Sequence, residues 1–344
     1  MRAPIIAVLL LFASTVATAQ TGTGPFKNTY TINKLAPDVF TLTWALTPGS
    51  LAIGNSTFII GDTDVVVVDT GLSKAGGEAI LGGLRQVTDK PVSMVINTHW
   101  HGDHIFGNQA FRAAFPSARF VAHAETRNGI ITGEVDYRDA NRPKTLARRD
   151  ALKATPVLSD AEKTELARAE MQLETWEGDY VLPDLLVDQH LTVIQGKRTI
   201  ELKHLGHANT KGDLVIHLPA ERILISGDMA ITPVPFAFFS SPRVWIETLD
   251  RLAVVDVDTI VPGHGPAQTD QQFVRDLQAM LKLIVEQVDA GLKAGLDVEA
   301  MKQSVTLTPP PGSVYAKISA ASLDRNFRIP AIESAVREKL EQKP

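Results

Sequence analysis

The sequence predicts an α/β protein in which two β-sheets face each other and helices cover their outer surfaces. Strand-like and helix-like segments occur in the same order twice, once before residue 125 and once after residue 190. The chain has 344 residues, which is enough to bury a large core. Two halves that each present one apolar sheet face are expected to pack those faces together and to leave their helices outside.

The first half alternates β-branched runs with Pro, Gly and Asp, a pattern typical of short strands. The strands predicted here cover 29–33, 39–45, 56–60, 64–69, 92–96 and 119–123. The run 92–96 is continuously apolar, as expected of a strand that is buried on both faces. Ile80, Leu84 and Val87 repeat at helical spacing, and a short helix is predicted over 108–115.

Residues 125–185 are charged and poor in β-branched side chains, which predicts a helical insertion. Ser159 and Glu162 have the spacing of a capping box and mark the start of one helix. An apolar stripe on this helix consists of Leu166, Ala169, Leu173 and Trp176. The stripe either packs against the body of the protein or belongs to an insertion that roofs one side of a functional site.

The strand pattern resumes after the insertion, at 191–195, 199–205, 214–218, 223–226 and 259–261. Helices are predicted at about 243–254 and along the amphipathic repeat formed by Phe273, Leu277, Leu281, Ile284 and Val288. A C-terminal helical extension, about 292–344, ends in a helix that carries Ile332, Val336 and Leu340. Residues 20–344 are expected to form a single domain.

Residues 1–19 have the pattern of a secretory signal peptide. Arg2 precedes an apolar stretch at 5–13, and Ala17-Thr18-Ala19 forms a cleavage signal before Gln20. The apolar stretch is too short to span a bilayer, so no membrane anchor is expected. We expect a secreted protein, which would be periplasmic in a Gram-negative source.

Charge and cysteine content restrict the possible functions. The chain has 34 basic and 39 acidic residues, a net charge of -5, and no basic block, which argues against a nucleic-acid partner. The charge does not name a partner, and the partner that we expect is a small-molecule substrate. It has no cysteine, which excludes disulfides, thiolate ligands and a cysteine nucleophile. Any metal site must therefore use nitrogen and oxygen ligands. The sequence does not specify an oligomeric state.

Four side chains that can bind metal lie within six positions of one another, directly after the predicted strand 92–96. They are His99, His101, Asp103 and His104, in the run Thr-His-Trp-His-Gly-Asp-His. Imidazoles and carboxylates this close together, on a turn that leaves a strand, can converge on one or two small cations.

Three further candidates, His207, Asp228 and His264, each follow a predicted strand and lie beside a glycine. Glycine lets the backbone turn tightly and present a side chain at a sheet edge. Together the seven residues can hold two ions, and we predict a dinuclear site for two Zn²⁺ or other divalent ions. The remaining histidines are predicted to be structural: His123, His190, His204 and His217.

The chain resembles the metallo-β-lactamase-fold metallo-hydrolase superfamily over about residues 35–290. Its ordered landmarks are Asp69-Thr70-Gly71, the motif from His99 to His104, Gly206-His207, Ser226-Gly227-Asp228 and Pro262-Gly263-His264-Gly265. The resemblance implies an αββα sandwich of two facing mixed sheets, with the site at one edge of both sheets. It assigns His99, His101 and His207 to the first metal, Asp103, His104 and His264 to the second, and Asp228 to both.

One segment departs from the pattern of the family. Many relatives have His-Thr-x-Gly-Asp, whereas this chain has His207-Ala208-Asn209-Thr210-Lys211-Gly212-Asp213. Asp69, Thr210 and Asp213 are candidates for supporting the ligands from behind, since a carboxylate behind an imidazole fixes its tautomer. Capping of a turn is the alternative role for them.

Two divalent ions roughly 3.5–4 Å apart can activate a shared water and polarise a substrate oxygen. The expected nucleophile is a metal-bound hydroxide, which Asp103 would orient and whose proton it would shuttle. The expected reaction is hydrolysis of an ester, lactone, thioester, strained amide or phosphoester. Trp100, Phe236, Phe238 and Phe239 are candidates for binding an apolar substrate, although these aromatic residues can also simply pack under a loop.

Other functions are weighed against this one. A β-lactamase is the second candidate, since the missing cysteine excludes only its thiolate-containing subclasses; a bridging Asp228 is typical instead of thioesterase, lactonase and phosphodiesterase relatives. An accessory role in a periplasmic quinoprotein oxidation system is a further alternative.

Two redox classes are disfavoured by the ligands. Flavo-diiron relatives have Glu where this chain has His101, and mononuclear iron dioxygenases keep fewer ligands. Nucleases of the superfamily resemble this chain only in the core, so nucleic-acid cleavage is not expected.

Overall fold

The computed structural model describes residues 29–45 and 53–341. The predicted signal peptide, 1–19, lies outside the described residues. Two mixed sheets, of seven and five strands, pack face to face with helices on their outer surfaces, so the predicted αββα sandwich is confirmed. In the described part of the chain no helix combines the length and the apolar character needed to cross a membrane.

The seven-stranded sheet follows the order of the sequence. Its strands are β1 (Tyr30–Ala36), β2 (Val39–Trp44), β3 (Ser56–Ile60), β4 (Val65–Val68), β5 (Val92–Ile96), β6 (Arg119–His123) and β7 (Leu185–Val187). The pairs from β1 to β4 are antiparallel, and those from β4 to β7 are parallel. Parallel neighbours need a crossover connection, and helices supply each one here.

The crossovers of this sheet differ greatly in length. Between β4 and β5 lies α1 (Lys74–Leu84), and between β5 and β6 lie α2 (Gly102–Ile105) and α3 (Asn108–Ala114). The connection from β6 to β7 contains α4 (Ala124–Gly129), a π-helical segment (Ile130–Val135), α5 (Asp136–Ala154) and α6 (Asp160–Thr175). Helix α6 begins with the capping box of Ser159 and Glu162.

The five-stranded sheet has the order β12-β11-β10-β9-β8. Its strands are β8 (His190–Gln195), β9 (Arg198–Lys203), β10 (Val215–Leu218), β11 (Ile223–Gly227) and β12 (Thr259–Pro262). Only β11 and β12 are parallel, and α7 (Pro242–Ala253) connects them. The remaining elements are α8 (Gln272–Lys293), α9 (Val298–Ser304), a 3₁₀ turn (Val314–Lys317), α10 (Ala320–Leu323), a π-helical segment (Asp324–Arg328) and α11 (Ile329–Glu341).

The core has three apolar layers that account for the continuous apolar runs of the sequence. In β4, Val66 and Val68 face the layer between the sheets, whereas Val65 and Val67 face the helices outside the first sheet. A strand covered on both faces must be apolar at every position, and all four residues are buried. The third layer lies between the second sheet and helices α7, α8 and α11.

Candidate metal centre

The predicted ligands lie where strands from both sheets end. His99 follows β5, while Asp103 and His104 lie in the short helix α2 that comes next. Asp228 follows β11, and His264 follows its parallel neighbour β12. Parallel strands release their carboxyl ends at the same edge of a sheet, so these loops converge at one edge of the sandwich.

Six of the seven predicted ligands form two compact groups. One group contains His99, His101 and Asp228, the other Asp103, His104 and His264, and the possible ligand atoms within each lie within 4.8 Å of one another. His207 belongs to neither group of the described residues.

Asp228 faces both groups, one carboxylate oxygen toward each. Its Oδ2 lies 3.6 Å from His99 Nε2. Its Oδ1 lies 3.4 Å from His104 Nε2 and 3.5 Å from His264 Nε2. A carboxylate placed in this way can bridge two ions.

The spacing of these atoms fits small cations. Ligand atoms bound tetrahedrally to zinc, at bond lengths near 2.0–2.2 Å, are about 3.4 Å apart. His104 Nε2 lies 3.4 Å from His264 Nε2, and Asp103 Oδ2 lies 3.0 Å from His264 Nε2. Within the described chain, the Nε2 atoms of His99 and His101 are buried without a hydrogen-bond partner. Buried polar atoms are rarely left without a partner, so these residues fit a metal centre.

Asp69 supports the ligands from behind, and it does so through three hydrogen bonds. Its Oδ2 lies 2.8 Å from His104 Nδ1 and accepts a bond of 2.7 Å from the Thr98 hydroxyl, while its Oδ1 accepts one of 2.8 Å from the Thr98 amide. The Thr98 hydroxyl oxygen in turn lies 3.1 Å from His99 Nδ1. When a proton is held at Nδ1 of each ring, Nε2 is the nitrogen of each imidazole that can bind an ion.

The electrostatic environment differs between the two groups. Burial lowers the pKa of His99 and of His101. Burial also acts against the charged form of His104 and of His264, but there the nearby carboxylates dominate and raise the pKa of His264 to about 9. The negative potential is therefore stronger on the side of Asp103, His104 and His264.

His207 lies outside the two groups and near His204. Its ring centre lies 6.1 Å from that of His204, and its backbone oxygen accepts a hydrogen bond of 2.7 Å from the Thr248 hydroxyl. Burial lowers the pKa of His207, with a further contribution from Lys211. Segment 207–213 was expected to supply His207 as a ligand. The residue of this segment that contacts the centre is a different one.

That residue is Asn209, which the sequence reasoning missed. It is completely buried, and its Nδ2 donates a hydrogen bond of 3.2 Å to Asp228 Oδ2. The sequence contains a signal that could have identified Asn209. The run from Asn209 to Asp213 has the family spacing His-Thr-x-Gly-Asp, with Asn in place of His.

Thr210 and Asp213 hold the turn that presents this asparagine. Asp213 Oδ2 accepts hydrogen bonds from the Thr210 amide at 2.6 Å and from the Thr210 hydroxyl at 3.0 Å. Burial raises the pKa of Asp213 to about 7. Both side chains therefore stabilise a turn, which is the alternative role considered for them.

A cavity of about 440 Å³ opens over the centre. Its lining residues include Phe236, Phe238 and Phe239, from the loop between β11 and α7, and Glu134, Tyr137, Gln172 and Trp176, from the helical crossover between β6 and β7. The apolar stripe that begins on α6 therefore has both of the roles considered for it. Ala169 is buried within the protein, and Trp176 lines the cavity. Trp100 is not among the residues that line this cavity, but its ring centre lies 4.7 Å from that of Phe239.

Glu134 is a second carboxyl group at the cavity that the sequence reasoning missed. Its Oε1 accepts a hydrogen bond of 3.1 Å from the Gly102 amide. Burial, reinforced by Asp103, raises the pKa of Glu134 to about 7. No local motif marks this residue, since it reaches the site only through the path of the π-helical segment.

The chain is similar to known hydrolases in sequence and in fold. The family model of the metallo-beta-lactamase superfamily matches residues 49–264. A linear primary-alkylsulfatase from Pseudomonas sp. is 26% identical over 263 residues, which cover 71% of this chain and 48% of the alkylsulfatase. The chain thus spans about half the length of that relative.

Solved structures show the same likeness of fold at low sequence identity. A stereoselective inverting sec-alkylsulfatase from Pseudomonas sp. is 16% identical, with a TM-score of 0.61, over 90% of this chain and 50% of the other. A metallo-beta-lactamase from Pontibacter korlensis is 18% identical, with a TM-score of 0.54, over 74% of this chain and 99% of the other.

Proposed function

We propose that this chain, which belongs to the metallo-beta-lactamase superfamily, is an exported dinuclear zinc hydrolase. Its proposed reaction is cleavage of an ester, lactone, thioester or amide bond of an uncharged small molecule. The observation that carries the proposal is the position of Asp228, with one carboxylate oxygen toward each of two histidine-containing groups.

The residues of the cavity would have different roles in the reaction. When bound, two divalent ions would lower the pKa of a water molecule and polarise the oxygen of the bond that is cleaved. Asp103, whose side chain is 19% exposed at the cavity, would orient that water and take up its proton. Glu134 would hold a proton near neutral pH and donate it to the leaving group.

The lining of the cavity supports an uncharged substrate that has an apolar group. Phe236, Phe238 and Phe239 offer aromatic surface, while Asp103 contributes a carboxylate and Glu134 a carboxyl group that holds a proton near neutral pH. Among the described residues that line the cavity there is no Lys or Arg to bind an anionic group. Carboxylic esters and lactones match this environment better than anions do.

Hydrolysis of alkyl sulfate esters is a second candidate. It is favoured by the similarity to the linear primary-alkylsulfatase, which covers 71% of this chain. A sulfate ester carries a negative charge, however, and apart from the ions themselves the described cavity wall offers it no basic side chain. We therefore rank it below the uncharged esters.

A panel of substrates tests the proposal and ranks the candidates. Purified protein is assayed with a 4-nitrophenyl ester, a lactone, a thioester, dodecyl sulfate and nitrocefin, and its zinc content is measured by elemental analysis. We expect two zinc ions per chain and turnover of the uncharged esters that is lost in the matched variant Asp228→Ala. Turnover of dodecyl sulfate alone would favour the second candidate, and nitrocefin alone a β-lactamase. Absence of zinc binding would refute the dinuclear hydrolase.

Export is proposed from the pattern of residues 1–19. Expression of the full chain in a Gram-negative host, followed by fractionation, is expected to give a periplasmic protein whose N-terminus lies near Gln20. A cytoplasmic protein that retains Arg2 would contradict the proposal.

A further inference from the structure

Asn209 is a buried polar residue at the metal centre whose amide is only half satisfied. Its side chain is 0% exposed, and its Oδ1 has no hydrogen-bond partner among the described residues. Leaving a buried acceptor without a partner costs about 1–3 kcal/mol. The amide is fully buried, its nitrogen faces Asp228, and its oxygen has no protein partner, so binding an ion through that oxygen would satisfy it.

The group next to Asn209 is the one with fewer protein ligands. Asn209 Nδ2 lies 3.2 Å from Asp228 Oδ2, and the same oxygen is the one nearest to His99 Nε2, at 3.6 Å. The ions would share Asp228, so this side has only His99 and His101 of its own. The other side has three ligands of its own: Asp103, His104 and His264.

The turn that carries Asn209 is built to hold the side chain in place. Asp213 accepts two hydrogen bonds from Thr210, and the Ala208 amide donates one of 2.9 Å to the Thr210 backbone oxygen. Ala208, Asn209 and Thr210 are all buried. His207, immediately before this turn, is partly exposed beside His204.

We propose that Asn209, and not His207, is the third protein ligand on the side of His99 and His101, and that it binds the ion through Oδ1. The inference rests on the proposed dinuclear centre. A half-turn of the amide about its terminal bond exchanges the places of Oδ1 and Nδ2, so either atom can occupy the position that faces the centre.

An amide oxygen has a chemical consequence for this position. It is neutral and harder than an imidazole nitrogen, and zinc binds nitrogen ligands more readily than amide oxygens. The position of His99, His101 and Asn209 therefore binds its ion more weakly than the position of Asp103, His104 and His264. The two ions leave the protein at different concentrations of a chelator.

Metal binding itself tests the inference, without any measurement of activity. Apoprotein is titrated with Co²⁺, followed by its visible absorption, and zinc per chain is measured after dialysis at fixed free zinc. The wild type is compared with Asn209→Ala, Asn209→Asp and the control His207→Ala. Asn209→Asp keeps the shape of the side chain and supplies a charged oxygen, so it tests a ligand role even if Asn209→Ala folds poorly.

We expect the wild type and His207→Ala to bind two ions with unequal affinities, and Asn209→Ala to keep only the tighter one. Asn209→Asp should bind the weaker ion about tenfold more tightly or better, because a carboxylate is the stronger ligand. A purely structural asparagine, which only donates to Asp228, would give the opposite result for Asn209→Asp, since two carboxylates would then face each other. Loss of an ion in His207→Ala with none lost in Asn209→Ala would also overturn the inference. A wild type that binds no ion would instead refute the proposed function.

Discussion

Single residues around the centre determine which nitrogen of each imidazole can bind an ion. Asp69 is the main example, because it accepts hydrogen bonds from both polar groups of Thr98 and lies 2.8 Å from His104 Nδ1. It has a left-handed backbone conformation, with φ of 59°, which Asp tolerates better than most residues. A buried carboxylate that serves a threonine and an imidazole at once is difficult to replace.

Asp69→Asn is expected to weaken zinc binding by about 10–100-fold. The amide has one acceptor oxygen, so it cannot accept all three hydrogen bonds that the carboxylate accepts from the Thr98 amide, the Thr98 hydroxyl and His104 Nδ1. An Nδ2–H donor toward His104 would move the ring proton to Nε2, where the ion should bind. Competition with a chromophoric chelator measures the affinity, with exposed Asp62→Asn as the control. Unchanged affinity in Asp69→Asn would show that the carboxylate does not orient His104.

Glu134 is expected to make the stability of the metal-free protein depend on pH. Burial raises its pKa from 4.5 to about 7, so the folded state retains a proton that the unfolded chain releases. The stabilisation is complete below pH 4.5 and is lost as the pH rises through 7. Glu134→Gln, which stays neutral, should melt at increasingly higher temperature than the wild type between pH 5 and 8.

The size of this effect is limited because Glu134 is partly exposed. A shift from 4.5 to about 7 corresponds to at most about 3 kcal/mol, and contact with solvent reduces that figure. Exposed Glu177→Gln, which removes a carboxylate outside this cavity, is the matched control. A constant difference in melting temperature between Glu134→Gln and the wild type would rule out the raised pKa.

Elements differ in how far the sequence could predict them. Strand β4 was predictable because four consecutive valines are what burial on both faces requires. Strand β7 was missed because it has three residues and only Val187 is buried, so neither length nor alternation marks it. Strand β9 ends at Lys203, two residues before the predicted end, where the chain leaves the sheet toward Gly206.

The sequence predicts those residues of the metal centre that lie close together in the chain. It does not predict those whose position depends on the path of a loop. His99 to His104 come from one turn, so their spacing in the sequence already places them together. Asn209 and His207 are two residues apart, and only the turn held by Asp213 decides which of them faces Asp228. Glu134 reaches the cavity from a helical crossover, which no pattern in the sequence positions.

The loop between β11 and α7 is expected to bind substrate without taking part in the chemistry. Phe238 and Phe239 on this loop are 46% and 54% exposed, yet both line the cavity. Replacing both with Ala should raise KM by roughly 5–30-fold, from the loss of about 1–2 kcal/mol of apolar contact, with little change in kcat.

Steady-state kinetics of the Phe238→Ala, Phe239→Ala double variant test this role. The control is Val254→Ala, an 82% exposed apolar residue that does not line the cavity. The melting temperature of both variants should stay near that of the wild type, since exposed side chains contribute little to the core. A fall in kcat at unchanged KM would assign the two rings to the chemical step instead.

At the scale of the whole molecule, the centre joins the two halves of the sandwich. The first sheet contributes His99 to His104 through the loop and short helix after β5, and the second contributes Asp228 and His264. The carboxylate of Asp228 also requires the small residue beside it, because a side chain on Gly263 would overlap its Oδ1. Bound ions would therefore cross-link the sheets at one edge, in addition to the apolar layer between them.

Removal of the ions is expected to lower the melting temperature of the whole molecule in one cooperative transition. An ion present at about 1,000 times its dissociation constant stabilises the folded state by about 4 kcal/mol, provided that the unfolded chain does not bind it. In a domain of this size that free energy corresponds to a shift of several degrees. Calorimetry of the wild type, with excess zinc and with a chelator, measures the shift. The variant Asp228→Asn, which keeps the shape of the side chain but loses the shared charge, should lose most of the difference.

Because ligands from both sheets hold the ions, the two halves should still unfold together in the wild type. If zinc instead split the melting curve into two transitions, the ions would be stabilising one half alone, and the cross-link between the sheets would be disproved.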